Sequence, residues 1–393
     1  MTIEATQKAS VPRRLRLGMV GGGQGAFIGG VHRIAARLDD RYELVAGAFA
    51  SDPDRSRASA ADLHVSPDRA YGTFSEMAAA EAARDDRIDV VAIVAPNHVH
   101  HAAARAFLDA GIHVICDKPL TTTVADAEDL VATVARTGLI FGLTHNYTGY
   151  PMVRQMREMV AAGELGTLRV LQMEYPQDWL TTRLEATGQK QADWRTDPAR
   201  SGAAGCLGDI GTHAYNLAGF VTGMQADAVL AELTIFVGGR RLDDNAQILL
   251  RYPNGARGML WTSQVAPGNE NGLRLRVYGD KGGLSWSQEQ PNHLTFASFG
   301  EPPQLITRAG AGAGAAAGHA TRIPAGHPEG YLEGFAQLYA DLAEQLTARI
   351  DGRDPDPATL LVPGVQDGLD GVRFIAAAVQ SSQAGGVWTP VIP

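Results

Sequence analysis

Three side chains, far apart in the chain, could together manage a proton and a developing negative charge: Lys118, Asp209 and His213. Lys118 stands in Cys116-Asp117-Lys118-Pro119-Leu120, directly after the apolar run Ile112-His113-Val114-Ile115. In an open α/β sheet, ligands bind outside the carboxyl ends of the strands. A lysine at such an end points toward whatever is bound there, as a catalytic cation. Asp209 and His213 open a helical stretch in Gly208-Asp209-Ile210-Gly211-Thr212-His213. Residues four apart share a helix face. A carboxylate beside an imidazole can fix its tautomer and raise its pKa, which gives a general base. A helix-capping aspartate and a packed core histidine are the plain alternatives for this pair. No third residue has the spacing of a zinc ligand.

What the lysine could face is set by the turn Gly21-Gly22-Gly23-Gln24-Gly25, which follows the apolar segment Leu15 to Val20. Strand followed by glycines is the context of a dinucleotide fingerprint. Glycines let the backbone approach a pyrophosphate, and the next helix offers unpaired N–H groups to it. With Gly21 and Gly23 as the first two glycines, Ala26 takes the sixth position, followed by Phe27 and Ile28. A shifted reading takes Gly29 as the third glycine, with a longer turn. The end of the second strand distinguishes NAD from NADP: an acid there accepts ribose hydroxyls, and an arginine holds the extra phosphate. Here Ala50-Ser51-Asp52-Pro53-Asp54-Arg55 offers both. Asp52 could reach the ribose, and Ser51 with Arg55 could hold a phosphate. The cofactor expectation is NAD(P), leaning to NAD because Asp52 would repel a phosphate. The segment Pro96-Asn97-His98-Val99-His100-His101 follows the third strand. Its histidines invite a metal, but no cysteine or carboxylate lies near, so no metal is expected. Helix capping and ribose contact are the expected work of Asn97, His98 and His100, with His101 exposed.

The elements that must position these groups fall into two patterns. Up to residue 145, short apolar runs (Leu15–Val20, Tyr42–Phe49, Ile88–Ala95, Ile112–Cys116, Leu139–Leu143) alternate with helical stretches such as Ser75–Arg84 and His101–Ala110. That alternation predicts a parallel sheet. Beyond it come a helix over Met152–Ala162, a strand over Leu168–Tyr175 and a helix over Leu207–Val221. Strands then succeed one another at Val229–Val237, Ala246–Tyr252, Gly258–Val265, Leu273–Tyr278 and Leu294–Phe299, with turns at Asn254-Gly255 and Lys281-Gly282-Gly283. This predicts an antiparallel sheet with helices on one face. The Gly/Ala-rich stretch Ala309–Ala320 reads as a surface loop, and helices are expected over Tyr331–Arg349 and Gln366–Ser381. The fold class is therefore α/β. The expected division is a tail over 1–14, a dinucleotide-binding Rossmann domain over 15–145 and a substrate-binding and oligomerisation domain over 146–393.

Composition narrows the partners. The chain of 393 residues carries a net charge of −9, which argues against a nucleic-acid or anionic-membrane surface. No uncharged apolar run reaches the roughly 18 residues of a membrane span. Two cysteines, Cys116 and Cys206, make no disulfide framework, and a reduced, cytoplasmic compartment is expected. The first sixteen residues lack the apolar stretch of a secretory signal.

Gly21-x-Gly23, Pro96-Asn97-His98, Cys116-Asp117-Lys118-Pro119 and Asp209-x-x-x-His213 occur in this order. With them, the chain resembles the glucose–fructose oxidoreductase, inositol dehydrogenase and rhizopine-catabolism (Gfo/Idh/MocA) family over most of its length. The resemblance implies a Rossmann domain followed by an α/β domain whose open, mostly antiparallel sheet forms a homodimer or homotetramer. It also implies NAD(P)-dependent oxidation of a secondary alcohol on a sugar, sugar derivative or cyclitol. Lys118 matches the lysine of the family's Glu-Lys-Pro motif, with Asp117 in place of the glutamate. Asp209 and His213 match its aspartate and histidine. By that resemblance Asp209 orients His213, His213 takes the hydroxyl proton, and Lys118 bonds the reacting oxygen. Pro176-Gln177-Asp178-Trp179 and Trp194-Arg195 are similar to segments of levoglucosan-type dehydrogenases. This implies that Gln177 and Trp194 contact a pyranose ring, with Tyr147 beside them; Lys190 and Arg195 could bind an anionic substituent. An alternative within the family is redox-assisted glycoside hydrolysis, which would need a further base such as Tyr147 or Asp178. A non-catalytic dinucleotide sensor is a third reading, and it would predict a missing lysine or base.

Overall fold

In the computed structural model, residues 13–391 are described. Most of the expected tail lies outside them, but Arg13 and Arg14 already pair with Asp89 and Asp40 at 2.7 and 2.6 Å. The first five strands are β1 (Leu15–Gly21), β2 (Tyr42–Ala48), β3 (Val90–Val94), β4 (His113–Cys116) and β5 (Phe141–Leu143). They form a parallel sheet in the order β2-β1-β3-β4-β5. The helices between them are α1 (Phe27–Leu38), α2 (Pro53–Asp62), α3 (Phe74–Ala82), α4 (Asn97–Asp109) and α5 (Val124–Thr137). The uninterrupted apolar run of β3 has a direct cause. Val91 and Ile93 enter the core on one face of the sheet, while Val90, Ala92 and Val94 enter the core on the other. The strand order reverses between β1 and β3, and ligand crevices open at such switch points.

The second half begins with α6 (Pro151–Ala161), β6 (Leu168–Pro176), and the short helices α7 (Lys190–Arg195) and α8 (Pro198–Ser201). A π-type turn at Leu207–Gly211 leads into α9 (Thr212–Thr222). The remaining strands are β7 (Ala228–Thr234), β8 (Asn245–Arg251), β9 (Arg257–Ser263), β10 (Arg274–Gly279), β11 (Gly282–Ser287), β12 (His293–Ser298), β13 (Gln304–Thr307) and β14 (Thr389–Pro390). They pair in the order β13-β12-β11-β10-β6-β9-β8-β7-β14. Every pair is antiparallel except β6 with β9, at the centre of the sheet. One face of this sheet is apolar and packed under α6 and α9; in β8, for example, Ala246, Ile248 and Leu250 are buried while Gln247, Leu249 and Arg251 are exposed.

Two expectations need correction. Gly282 and Gly283 pair within β11 rather than forming the turn, which sits just before them. The Gly/Ala-rich stretch is not all loop: Ala315–His319 forms the short helix α10. Gln155 Oε1 accepts the Gly314 N–H and Glu158 accepts the Ala316 N–H, so α6 caps it and Ala317 is buried against the core. The last two helices are α11 (Tyr331–Asp351) and α12 (Val365–Gln383). Both return to the parallel sheet. Phe335, Tyr339 and Leu342 of α11 join the core on one face, and Leu369 and Val372 of α12 join the other. The glycine-turn half is thus closed by residues from the chain's far end.

Candidate active site

A cleft of about 1080 Å³ runs from the glycine turn to the base of the second sheet. At its first end, Gly21 and Gly22 have φ of +78° and +72°, a region that favours glycine. A Cβ on Gly21 would lie 2.7 Å from the Val94 carbonyl oxygen, and one on Gly29 would lie 2.3 Å from Gly22 Cα. The close-packing glycine of the fingerprint is therefore Gly29. Ala26 is instead the residue before α1, and no side chain caps that helix. Its first N–H groups stay open toward the cleft, beside Phe27 and Ile28. Gly23 N–H donates to the Phe49 carbonyl and Gln24 N–H to Ser59 Oγ, so the turn is fixed to β2 and α2. Ser51 and Arg55 line the cleft. Asp52 accepts from Arg55 N–H at 2.8 Å and caps α2. These cradles, which any Cβ would fill, fit a dinucleotide backbone.

Pro96, Asn97 and His98 also line the cleft. The capping expected of Asn97, His98 and His100 does not hold: Pro96 precedes α4 without a side-chain cap, and Asn97 Nδ2 donates to the Ser201 carbonyl at 3.0 Å. His100 does not reach the cleft. It is fully buried, with Nδ1 2.8 Å from the Pro119 carbonyl and Nε2 2.8 Å from the Ala95 carbonyl. The ring ties the end of β3 to the lysine loop; while neutral it can donate to only one of these carbonyls. His101 is partly buried and meets Asp129 at 2.8 Å.

At the other end, Lys118, Asp209 and His213 come together. Asp117 Oδ1 accepts the Lys118 N–H and the Thr144 hydroxyl, both at 2.9 Å, and so shapes the loop after β4. The Lys118 ammonium reaches Asp209 Oδ1 at 3.1 Å and also donates to the Asp209 carbonyl oxygen. An ammonium has three donors, so one is left for a ligand. The second carboxylate oxygen accepts from Arg195 Nε at 3.0 Å and Gln264 Nε2 at 2.9 Å. Burial pushes the Asp209 carboxyl up, but Arg195 and Lys118 outweigh it and hold the group well below the usual carboxylate range.

The expected Asp209–His213 couple is not formed. The carboxylate's hydrogen bonds go to Lys118, Arg195 and Gln264, because the π-type turn carries Asp209 toward the lysine loop while His213 lies in the α-helix that follows. The imidazole packs edge-on against Tyr147 at 4.9 Å and His145 at 5.4 Å. Burial, with Lys118 and His145 nearby, drives its pKa well down, not up. Nδ1 is buried without a partner, so Nε2 is the nitrogen left for the cleft.

Around these groups runs a hydrogen-bonded chain. The Tyr147 and Tyr175 hydroxyls are 2.5 Å apart, and the Tyr175 hydroxyl donates to Asn271 Oδ1 at 2.9 Å. Gln177 Nε2 donates to the same Asn271 oxygen at 2.7 Å, and Trp179 Nε1 donates to Gln177 Oε1 at 3.1 Å. Trp194 lines the cleft under the Arg195 guanidinium, 4.2 Å from its ring. Asp178 turns away to accept the Gly268 N–H. Tyr175, Gln264, Asn271 and Gln288 were not singled out from sequence. Each is an ordinary polar residue at a strand end or loop, without a motif to mark it. Among the described residues no group of three potential metal ligands occurs, and no helix is long and apolar enough to cross a membrane.

Residues 15–145 match the oxidoreductase family with an NAD-binding Rossmann fold, and residues 153–285 match the GFO/IDH/MocA C-terminal domain. A crystal structure of an oxidoreductase from Sinorhizobium meliloti is 54% identical, with a TM-score of 0.87 over 96% of this chain and 99% of that one. An inositol dehydrogenase homolog from Azotobacter vinelandii, complexed with NAD+, is 37% identical with a TM-score of 0.92 over 97% of this chain and 98% of its own. A second structure of that homolog carries NADH and myo-inositol. Levoglucosan dehydrogenase from Pseudarthrobacter phenanthrenivorans is 26% identical over 72% of this chain and 76% of its own. Both halves of the architecture and both matched segments lead to one statement: this chain belongs to the Gfo/Idh/MocA oxidoreductases, with an NAD-binding Rossmann domain.

Proposed function

We propose that the protein is a dehydrogenase of a polyhydroxylated ring, a cyclitol or sugar, that removes hydride from a secondary alcohol. The observation that carries this reading is the convergence of the Lys118 ammonium, the Asp209 carboxylate and the His213 ring in the cleft that also holds the glycine turn. The nicotinamide of a bound NAD(P) supplies the hydride acceptor. Gly21, Gly22, Gly23 and the open start of α1 would hold its diphosphate, with Ser51 and Arg55 toward the adenosine end and Asn97 and His98 toward the ribose near the reacting centre. NAD is favoured over NADP by the relative bound to NAD+.

His213 takes the hydroxyl proton at Nε2. Its depressed pKa keeps the ring neutral, and therefore able to accept, at ordinary pH. Lys118 gives its third N–H to the same oxygen as negative charge builds. A positioned base contributes about 10²–10⁴-fold and a preorganised donor a comparable factor. Asp209 acts through Lys118: shared by two cations, it holds the ammonium in place rather than orienting the imidazole. Asn271, Gln177 and Tyr147 offer a polar rim, and Trp194 an aromatic face, to a ring bearing several hydroxyls. Glycoside hydrolysis gains no support, since Asp178 is committed to Gly268 and burial raises the Tyr147 pKa.

The test is a panel of cyclitols, sugars and glycosides, including myo-inositol and levoglucosan, run with NAD+ and NADP+ while following absorbance of the reduced cofactor. Lys118→Ala should lose turnover by about 10³-fold or more while NAD+ still binds. Turnover by Lys118→Ala equal to the unaltered chain would overturn the assignment.

A further inference from the structure

At Gly25 the glycine turn is open but for one atom. A Cβ on Gly25 would have a single heavy-atom neighbour within 4 Å, the Lys190 Nζ at 4.0 Å. Lys190 is not part of the Rossmann half. It is the first residue of α7 and lines the same cleft as Gly21, Gly23 and Gln24. The other cations that the second half brings to this cleft are used: Arg195 on Asp209, and Arg200 on Asp193 and Asp197. Among the described residues, no carboxylate lies within 4.0 Å of the Lys190 ammonium. The segment bearing it is capped at its start and tied to the first half at its far end. Gln189 caps α7 by accepting the Ala192 N–H, and the Ser201 carbonyl is held by Asn97 of the first half.

The Rossmann half itself brings partial charges to the turn: backbone N–H groups and the start of α1. Of its arginines, Arg33 is committed to the Gly22 carbonyl at 2.6 Å, and Arg55, which lines the cleft, is assigned to the adenosine end. We propose that Lys190 is a ligand for the diphosphate of the dinucleotide, contributed across the cleft by the substrate-binding half. The proposal rests on the dinucleotide reading of this cleft and goes beyond it. Cofactor occupancy then draws on α7, the helix that also carries Trp194 and Arg195 beside Asp209. Binding of the dinucleotide and shaping of the substrate end become coupled through one short helix.

The experiment measures dissociation constants calorimetrically for NAD+ and for ADP-ribose, which keeps the diphosphate but lacks nicotinamide. The chains compared are the unaltered protein, Lys190→Gln and Lys190→Arg, at about 50 mM and about 300 mM salt. Lys190 is exposed, so both variants should keep the far-ultraviolet circular dichroism of the parent. Lys190→Gln should weaken both ligands alike, on the order of tenfold at low salt, and by less at high salt. Lys190→Arg should retain most of the affinity. Equal affinity of Lys190→Gln and the parent at low salt would overturn the role of Lys190 alone, as would Lys190→Arg losing as much as Lys190→Gln. Failure of the parent to bind ADP-ribose would instead overturn the dinucleotide reading, and this proposal with it.

Discussion

Asp209 sits between Lys118 and Arg195 and keeps its charge despite burial. Removing one cation should therefore be felt through the other. Arg195→Met leaves the carboxylate to Lys118 and Gln264, draws the ammonium more tightly onto it, and competes with substrate oxygen. We expect kcat/KM for the polyol to fall by about 10²-fold; an unchanged kcat/KM would show that Arg195 plays no part. His213 gives a second expectation. Its pKa is depressed, so it becomes protonated, and loses its function as base, only at acidic pH. The acid limb of kcat/KM for alcohol oxidation should lie below the ordinary histidine value of about 6.5. A limb at or above that value would point to another base. The residues themselves were legible as motifs, but their partners were not. The spacing of Asp209 and His213 suggested a couple, and a π-type turn, invisible to a count of residues, separated them.

At the level of elements, the contact of α1 with β1 turns on Gly22 and Gly29. Gly29→Ala would place a Cβ 2.3 Å from Gly22 Cα and 2.4 Å from its carbonyl oxygen, backbone atoms that cannot swing aside. The helix must back away from the strand, at a cost of about 1–3 kcal/mol for overpacking. We expect a lower urea midpoint and weaker NAD+ binding together; unchanged values for both would remove Gly29 from the fingerprint. The parallel strands were readable because burial on both faces leaves them uniformly apolar, as in Val90–Val94. β11 and β13 were not. One opens on two glycines, and the other, Gln304–Thr307, is a four-residue strand with a single buried residue. Nor does any local signal announce that β6 lies parallel to β9, since their pairing joins segments far apart in the chain.

For the molecule as a whole, buried and half-buried histidines set a direction with pH. Burial lowers His32 and His113 to about 4 and His145 to about 3. Between those values and about 6.5, the unfolded chain binds protons that the folded chain does not, so stability falls as pH drops through that window. The slope is on the order of 1 kcal/mol per pH unit for each group. The urea midpoint should drop between pH 7 and pH 5, and a flat profile would contradict the burial of these rings. Self-association is a further expectation at this scale. The outward face of the second sheet pairs exposed Leu249 with Met259 and Val170 with Tyr278. An apolar patch of this kind favours a partner surface. We propose that it joins copies of this chain, so Leu249→Arg with Met259→Arg should lower the mass seen by light scattering. A parent already monomeric would sink that idea.

The two thiols offer a way to watch the halves come apart. Cys116 ends β4 inside the first sheet, and Cys206 precedes the π-type turn of the second half, donating to Asp243 at 3.1 Å; both are buried, and burial raises both thiol pKa values. An alkylating reagent must wait for local opening before it can reach either. Because one cysteine reports from each half, mass spectrometry of two peptides would time two separate events in the unaltered chain. Dinucleotide should then slow the Cys116 clock, and polyol, added in its presence, the Cys206 clock.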